Sequence, residues 1–397
     1  MTARPAAMSA ATADTTPNTT SVSHYRIAVG LVLLLIVYGS LFPLEWNFAH
    51  PQAFLFNGTS DLSDVLENVA LFFPLGCLLA ARGVRSAARF VVWFCIALVV
   101  AAGLQWLQKF LPRTPALSDV LFNMLGHVLG WGFGAVMAQM YTRAAERRPG
   151  LRQGNYFVMA LLVLWLVAEL FPLVPSLNPG AWLHKLLGLL HQPWWEPRRL
   201  WLHLGMTVMG LAALAEWLHS VGASRAAVGR AGVAAGLLML LGKFVVWHQN
   251  PGLAVVLGIL AGVGLWWLMA QAHDGLRTWL LFGVALITYG VHALWPFQWP
   301  GPPKAMLWLP FASSLSSNIE SVITTVALES LCFGSLIWGA VRRGLGLPVA
   351  AVAVALLAFG AEWSQRYQPA RTAEITSVLL ALGMAWLVAA LGKTRRV

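Results

Sequence analysis

The sequence predicts an all-α fold, a polytopic transmembrane helical bundle of about twelve spans. Three observations carry that expectation. Of the 397 residues, 58% are hydrophobic and only 10% are charged, whereas soluble domains are roughly a quarter charged. Apolar runs of spanning length recur along the whole chain. The arginines sit in short clusters between those runs, the pattern that orients membrane helices.

Taken in order, residues 1–23, "MTARPAAMSAATADTTPNTTSVS", are rich in Ala and Thr and are expected to form a disordered tail. The first apolar run lacks a small-residue cleavage site and ends in "FPLEW", which predicts a retained helix and not a signal peptide. Spans are expected at 27–46, 65–81, 89–109, 118–140, 155–173, 200–219, 227–247, 253–270, 276–295, 321–340, 347–366 and 375–392. Leu183 to His191 is a shorter amphipathic piece, expected at the interface. With the amino terminus in the cytoplasm, the clusters at 82–89, 143–152, 225–230 and 342–343 fall inside. Lys109, Arg113, Lys185, Arg198, Arg199, Lys304, Arg366 and Arg371 then fall outside. This bias places both termini in the cytoplasm.

An internal repeat is visible at the outer helix ends. "YGSLFPLEW" closes the first span, "AELFPLVP" the fifth and "YGVHALWPFQW" the ninth. In each, a proline stops the helix beside aromatics suited to the interface. The implied units of four helices are 24–150, 151–273 and 274–397, following the tail at 1–23, and all three have the same orientation.

The polar residues are concentrated in two crossings, Leu107–Gly130 and Trp363–Gly383. In the first, Gln105 and Gln108 share a face just before Pro112, and Asp119 and Asn123 share one on the next helix. Gly126, Gly130 and Gly134 follow at the four-residue spacing that lets another backbone approach. Arg113 lies in the connection, where as part of a polar lock it would pair with Asp119, and Asn68 is expected to face these groups from the second helix. In the second crossing Glu362 and Gln365 share a face, and Arg371 with Glu374 is expected to form a local pair. Glu329 is embedded in "VALESLCFG", so it is either protonated or near Arg371 or Lys243. Lys243 itself is expected to snorkel outward, and Glu169 to lie at the interface.

"DVLENVALFFPLG" followed by "LQWLQKFLPRTPALSDVLFNMLGHVLG" resembles the VanZ-like membrane family. The matching positions are Asn68, Phe73, Pro74 and Gly76, then Gln108, Pro112, Arg113, Ser118, Asp119, Asn123, Gly126 and Gly130. Gln105 departs from the pattern, standing where the family usually has Glu. The last unit is similar through Glu362, Gln365, Pro369, Arg371, Thr372 and Glu374, but has Ser377 for the Asp and Ala381 for the Asn. The middle unit keeps the exit and little else, with Lys243 and Gln249 in the corresponding region. The resemblance implies a bacterial plasma (inner) membrane protein with an envelope role, in settings of glycopeptide resistance or polysaccharide.

Several function classes are excluded by the sequence. There is no GxxxxGK[ST] for nucleotide, no HExxH, and no CxxC or Cys/His spacing among three cysteines, so neither a metal nor a cofactor is expected. The net charge of +11 is spread over interhelical clusters, which argues against nucleic acid. The expected partners are membrane lipids, a lipid-linked glycan or envelope-biosynthesis proteins. Three functions stay open. The first is binding of an anionic lipid or lipid-linked glycan at the outer leaflet, with the crossings serving as ligand site or as polar lock. The second is a transporter or lipid flippase. The third is an outer-leaflet transferase or hydrolase using Glu362 and Glu374, or Asp119.

Overall fold

The computed structural model describes residues 19–42, 44–56, 62–81, 87–147, 155–173, 176, 178–191, 195–247, 249, 251–313 and 319–392. Among them lie thirteen α-helices: α1 (Thr19–Leu41), α2 (Leu62–Ala81), α3 (Ala87–Gln108), α4 (Leu117–Arg147), α5 (Tyr156–Leu170), α6 (Pro179–His191), α7 (Pro197–Ser220), α8 (Arg225–Val245), α9 (Leu253–Gln271), α10 (Asp274–Leu294), α11 (Ile319–Arg342), α12 (Leu347–Gln365) and α13 (Thr376–Leu391). Each expected span coincides with a helix, and the short amphipathic piece is α6. The largest departure is α1, which begins at Thr19, inside the expected tail, and stops at Leu41. Residues 1–18 lie outside the described residues. The early stop follows from Pro43, since the residue before a proline disfavours helical backbone.

Eight helices, α3, α4 and α7–α12, are long and apolar enough to cross a membrane. The 25–41 part of α1, together with α5 and α13, is apolar but shorter. Long apolar side chains such as Leu34, Val99, Leu238 and Leu356 are exposed on these helices, as a hydrocarbon surround requires. The chain is a multi-pass membrane protein.

The buried apolar residues form two cores. One lies within α1–α4, and the other joins α5 to α7–α13. In the larger core α11 is central, packing against α5, α7, α10, α12 and α13. Leu331, Cys332, Phe333, Leu336 and Ile337 on it have no exposed surface.

The smaller core is organised by the expected glycine seam. A Cβ at Gly126 would lie 2.2 Å from the Val69 carbonyl oxygen, and one at Gly130 would lie 2.1 Å from that of Phe73. At Gly134 the distance to the Cys77 oxygen would be 2.6 Å. The same four-residue register on both helices brings the backbones of α2 and α4 together, where dispersion and weak Cα–H contacts replace side-chain packing. Gly130→Ala should therefore destabilise the protein by about 1–3 kcal/mol. Gly132→Ala, whose added Cβ meets nothing within 4 Å, should leave thermal unfolding in detergent unchanged.

Candidate functional site

The three exits share one backbone solution. Leu44, Leu173 and Phe297, each following an exit proline, have φ of 66°, 63° and 60°. Their N–H groups donate to Leu41, Leu170 and Leu294 at 2.9, 2.8 and 2.8 Å. A left-handed conformation costs such residues roughly 1–2 kcal/mol, so something must hold it.

Side chains from the crossing that follows each exit do so, by reaching the last-turn carbonyls. Gln108 Nε2 donates to Ser40 O at 2.7 Å, and Arg113 Nη1 lies 3.5 Å from the carbonyls of Gly39 and Ser40. In the middle stretch Gln249 Nε2 donates to Phe171 O at 2.7 Å, and Lys243 Nζ donates to Glu169 O. In the last, Arg371 donates from Nε to Trp295 O at 2.9 Å and from Nη2 to His292 O. Carbonyls at a helix C-terminus lack intrahelical donors and carry the negative end of the dipole, so cations and amides suit them. Burial pushes the Arg371 guanidinium below its ordinary value, nearby Arg198 acts the same way, and Glu362 and Glu329 oppose them. It remains charged.

The two crossings are closed alike. A single parallel β-bridge closes each, Leu55 against Ala116 and Leu307 against Glu374. Inside the first, Gln105 Oε1 accepts from Ala116 N at 3.2 Å while its Nε2 donates to Asp119 Oδ2 at 3.2 Å. Inside the last, Glu362 Oε2 accepts from Glu374 N at 2.8 Å, and its Oε1 accepts from Ser377 Oγ. The socket is the same with the charge moved. An amide facing a carboxyl group is exchanged for a carboxyl group facing a hydroxyl, and each socket keeps one donor, one acceptor and one carboxyl group.

Several expected contacts are replaced by others. Arg113 does not pair with Asp119, nor Arg371 with Glu374, because both guanidinium groups are turned onto helix-end carbonyls. Glu374 instead accepts from Ser313 N at 3.0 Å, from Ser313 Oγ and from Thr376 Oγ1. Asn68 donates to Asp64 O on its own helix at 2.9 Å, away from the crossing. Gln365 is buried at the end of α12, and Asn123 is buried one turn below Asp119. His127 is fully buried a further turn down. Glu329 faces His292 Nε2 at 3.3 Å.

Lys243 and Glu169 correct the sequence reading most. Lys243 is 3% exposed and does not snorkel, and Glu169 is 1% exposed rather than interfacial. They pair at 2.9 Å, and His203 Nδ1 meets the same carboxylate oxygen at 2.7 Å. Neither charge can leave the interior, because α5 and α8 hold both stems inside the larger core, and pairing is what makes that burial tolerable. A polar cavity adjoins them. No local spacing announces this contact between residues of three different helices. The only available signal was that two embedded charges of opposite sign must find partners.

The fold and these clusters define a polytopic helical membrane protein with polar locks at its helix exits. Residues 10–138, which run from before α1 into α4, are similar to the family model described as VanZ/LLP1. No curated protein and no solved structure matches the chain.

Two outcomes follow from these geometries. Lys243→Met leaves the Glu169 carboxylate buried beside His203 alone and should cost about 3–5 kcal/mol in denaturant unfolding. Gln105→Glu sets a second carboxylate against Asp119 and should destabilise. Adding Asp119→Ser recreates the last crossing's socket, so a double-mutant cycle should return a favourable coupling of about 0.5–3 kcal/mol.

Proposed function

We propose that this protein is a non-enzymatic membrane protein of the bacterial envelope that binds the head group of an anionic lipid or lipid-linked glycan. Binding occurs on the side where α3 and α12 end. In this reading that side is the outer leaflet of the plasma membrane, with twelve spans, three four-helix units of one orientation and both termini cytoplasmic, and the bias of basic residues to the opposite side supports it. α6 lies along the interface.

One observation carries the reading. The Arg366 guanidinium lies 4.2 Å over the Trp363 ring, and that indole is 43% exposed. Arg366 Nε donates to Lys304 O at 2.9 Å, which fixes the guanidinium plane on the indole. A stacked, pre-oriented Arg at the membrane edge suits a phosphate, and an exposed indole suits a sugar face. Further cations in the same layer, Lys304 and Arg371, are anchored on backbone carbonyls and add to the positive field.

The transferase or hydrolase reading has less support. All four oxygens of Glu362 and Glu374 accept bonds, three from the crossing itself and Glu374 Oε2 from Ser313, and Asp119 is held by Gln105 and Ser118. Transport is the second reading, favoured by the buried Glu169–His203–Lys243 group.

Nanodisc-embedded protein should retain undecaprenyl phosphate in native mass spectrometry, and Arg366→Ala combined with Trp363→Ala should weaken it about tenfold. Equal retention by the double variant would count against this reading. Single cysteines at 113 and 371 should both react with an impermeant reagent from outside the cell, and labelling from the cytoplasm would overturn the sidedness.

A further inference from the structure

The residues that the crossings do not use converge elsewhere. A polar cavity of about 250 Å³ lies where α5, α7 and α8 meet α11, with Glu169, Arg199, His203, Lys243, Gln249 and Thr324 in its wall. At ~30 Å³ per water, this is room for one sugar ring, well beyond a single solvent molecule.

Its wall has an unfilled valence. The Glu169 side chain has no exposed surface. Its Oε2 takes both His203 and Lys243, while Oε1, equally buried, has no hydrogen-bond partner among the described residues. An acceptor left so is costly, and a charged one more so. Thr324 Oγ1 gives its proton to Glu320 O at 2.8 Å, so towards the cavity it too can only accept. Lys243 and Arg199 supply positive charge beside these acceptors, Arg199 being paired through Nε with Glu196 at 3.0 Å.

This pattern selects its ligand. An anion without a hydroxyl offers Glu169 Oε1 no donor, and a bare cation would be repelled by Lys243 and Arg199. Hydrocarbon would leave Oε1 unsatisfied. A hydroxyl both donates and accepts, and an adjoining phosphate would balance the cations.

We infer that the cavity between α5, α7, α8 and α11 binds a sugar or polyol carrying a phosphate, with Glu169 Oε1 accepting from a ligand hydroxyl. The assignment of that sugar to a lipid head group rests on the function proposed above, and the sugar specificity of the cavity does not. The site sits between the middle and last four-helix stretches, so it requires both.

The test uses the full chain in nanodiscs and three probes: undecaprenyl phosphate, undecaprenyl phosphate-glucose and glucose 1-phosphate. The unaltered protein should bind the glycosylated lipid about tenfold more tightly than the bare one, the worth of one hydrogen bond to a charged group. Glu169→Gln and Thr324→Leu should each abolish that preference, bringing the glycosylated and the bare lipid to equal affinity. Thr324→Leu fills the cavity while leaving the Glu169 ion pair intact, so it decides the matter if Glu169→Gln fails to fold. Equal binding of both lipids, or a preference that survives Thr324→Leu, overturns the cavity site and leaves the lipid reading standing. Binding of glucose 1-phosphate alone, lost in Thr324→Leu, would uphold the cavity and overturn the lipid reading. Binding of none of the three overturns both.

Discussion

Three helices, α1, α5 and α10, end beside prolines at the edge of an apolar layer, and the carbonyls of their last turns need donors there. Water is scarce at that depth, and an unsatisfied carbonyl costs several kcal/mol in hydrocarbon. Each is served by long polar side chains sent back from the stretch that follows: Gln108 and Arg113, Lys243 and Gln249, and Arg371. The requirement explains why a chain so poor in charge concentrates polar residues at the helix ends. It also explains why Leu44, Leu173 and Phe297 can hold left-handed backbone: the turn that this conformation makes delivers the carbonyls to those donors.

The same need constrains the sockets inside the two crossings. A buried socket tolerates one carboxylate when each of its oxygens meets a donor, and two facing carboxylates would repel. Gln105 with Asp119 and Glu362 with Ser377 are two ways of meeting that condition. Gln105, where the family pattern has Glu, leaves Asp119 as the single carboxylate of its socket, and Ser377 leaves Glu362 as the single carboxylate of the other.

The middle stretch solves the problem differently, and there chemistry is left over. Lys243 caps an exit and neutralises Glu169 at once, so a single ammonium ties α8 to the end of α5 by two kinds of bond. With His203 on the same carboxylate oxygen, the second oxygen has no hydrogen-bond partner among the described residues. In the crossings the carboxylate oxygens are absorbed by the fold, and in the middle one oxygen is not. That difference separates a lock from a place where a ligand can be held.

Helix positions were legible from the sequence, because a bilayer imposes length and apolarity on each span locally and proline marks where it must stop. The glycine seam was legible too, since four-residue spacing on one helix is enough to predict close approach. The match of residues 10–138 to a VanZ-like model follows from such local patterns. Partners were not legible. Arg113 and Arg371 were expected to seek nearby carboxylates, yet they turn to carbonyls more than seventy positions earlier. Lys243 was expected to reach water, yet it finds Glu169. Sequence spacing decides which side chains share one helix face. Only the packing of helices against one another decides which faces meet, and therefore which buried charge is satisfied and which oxygen stays open.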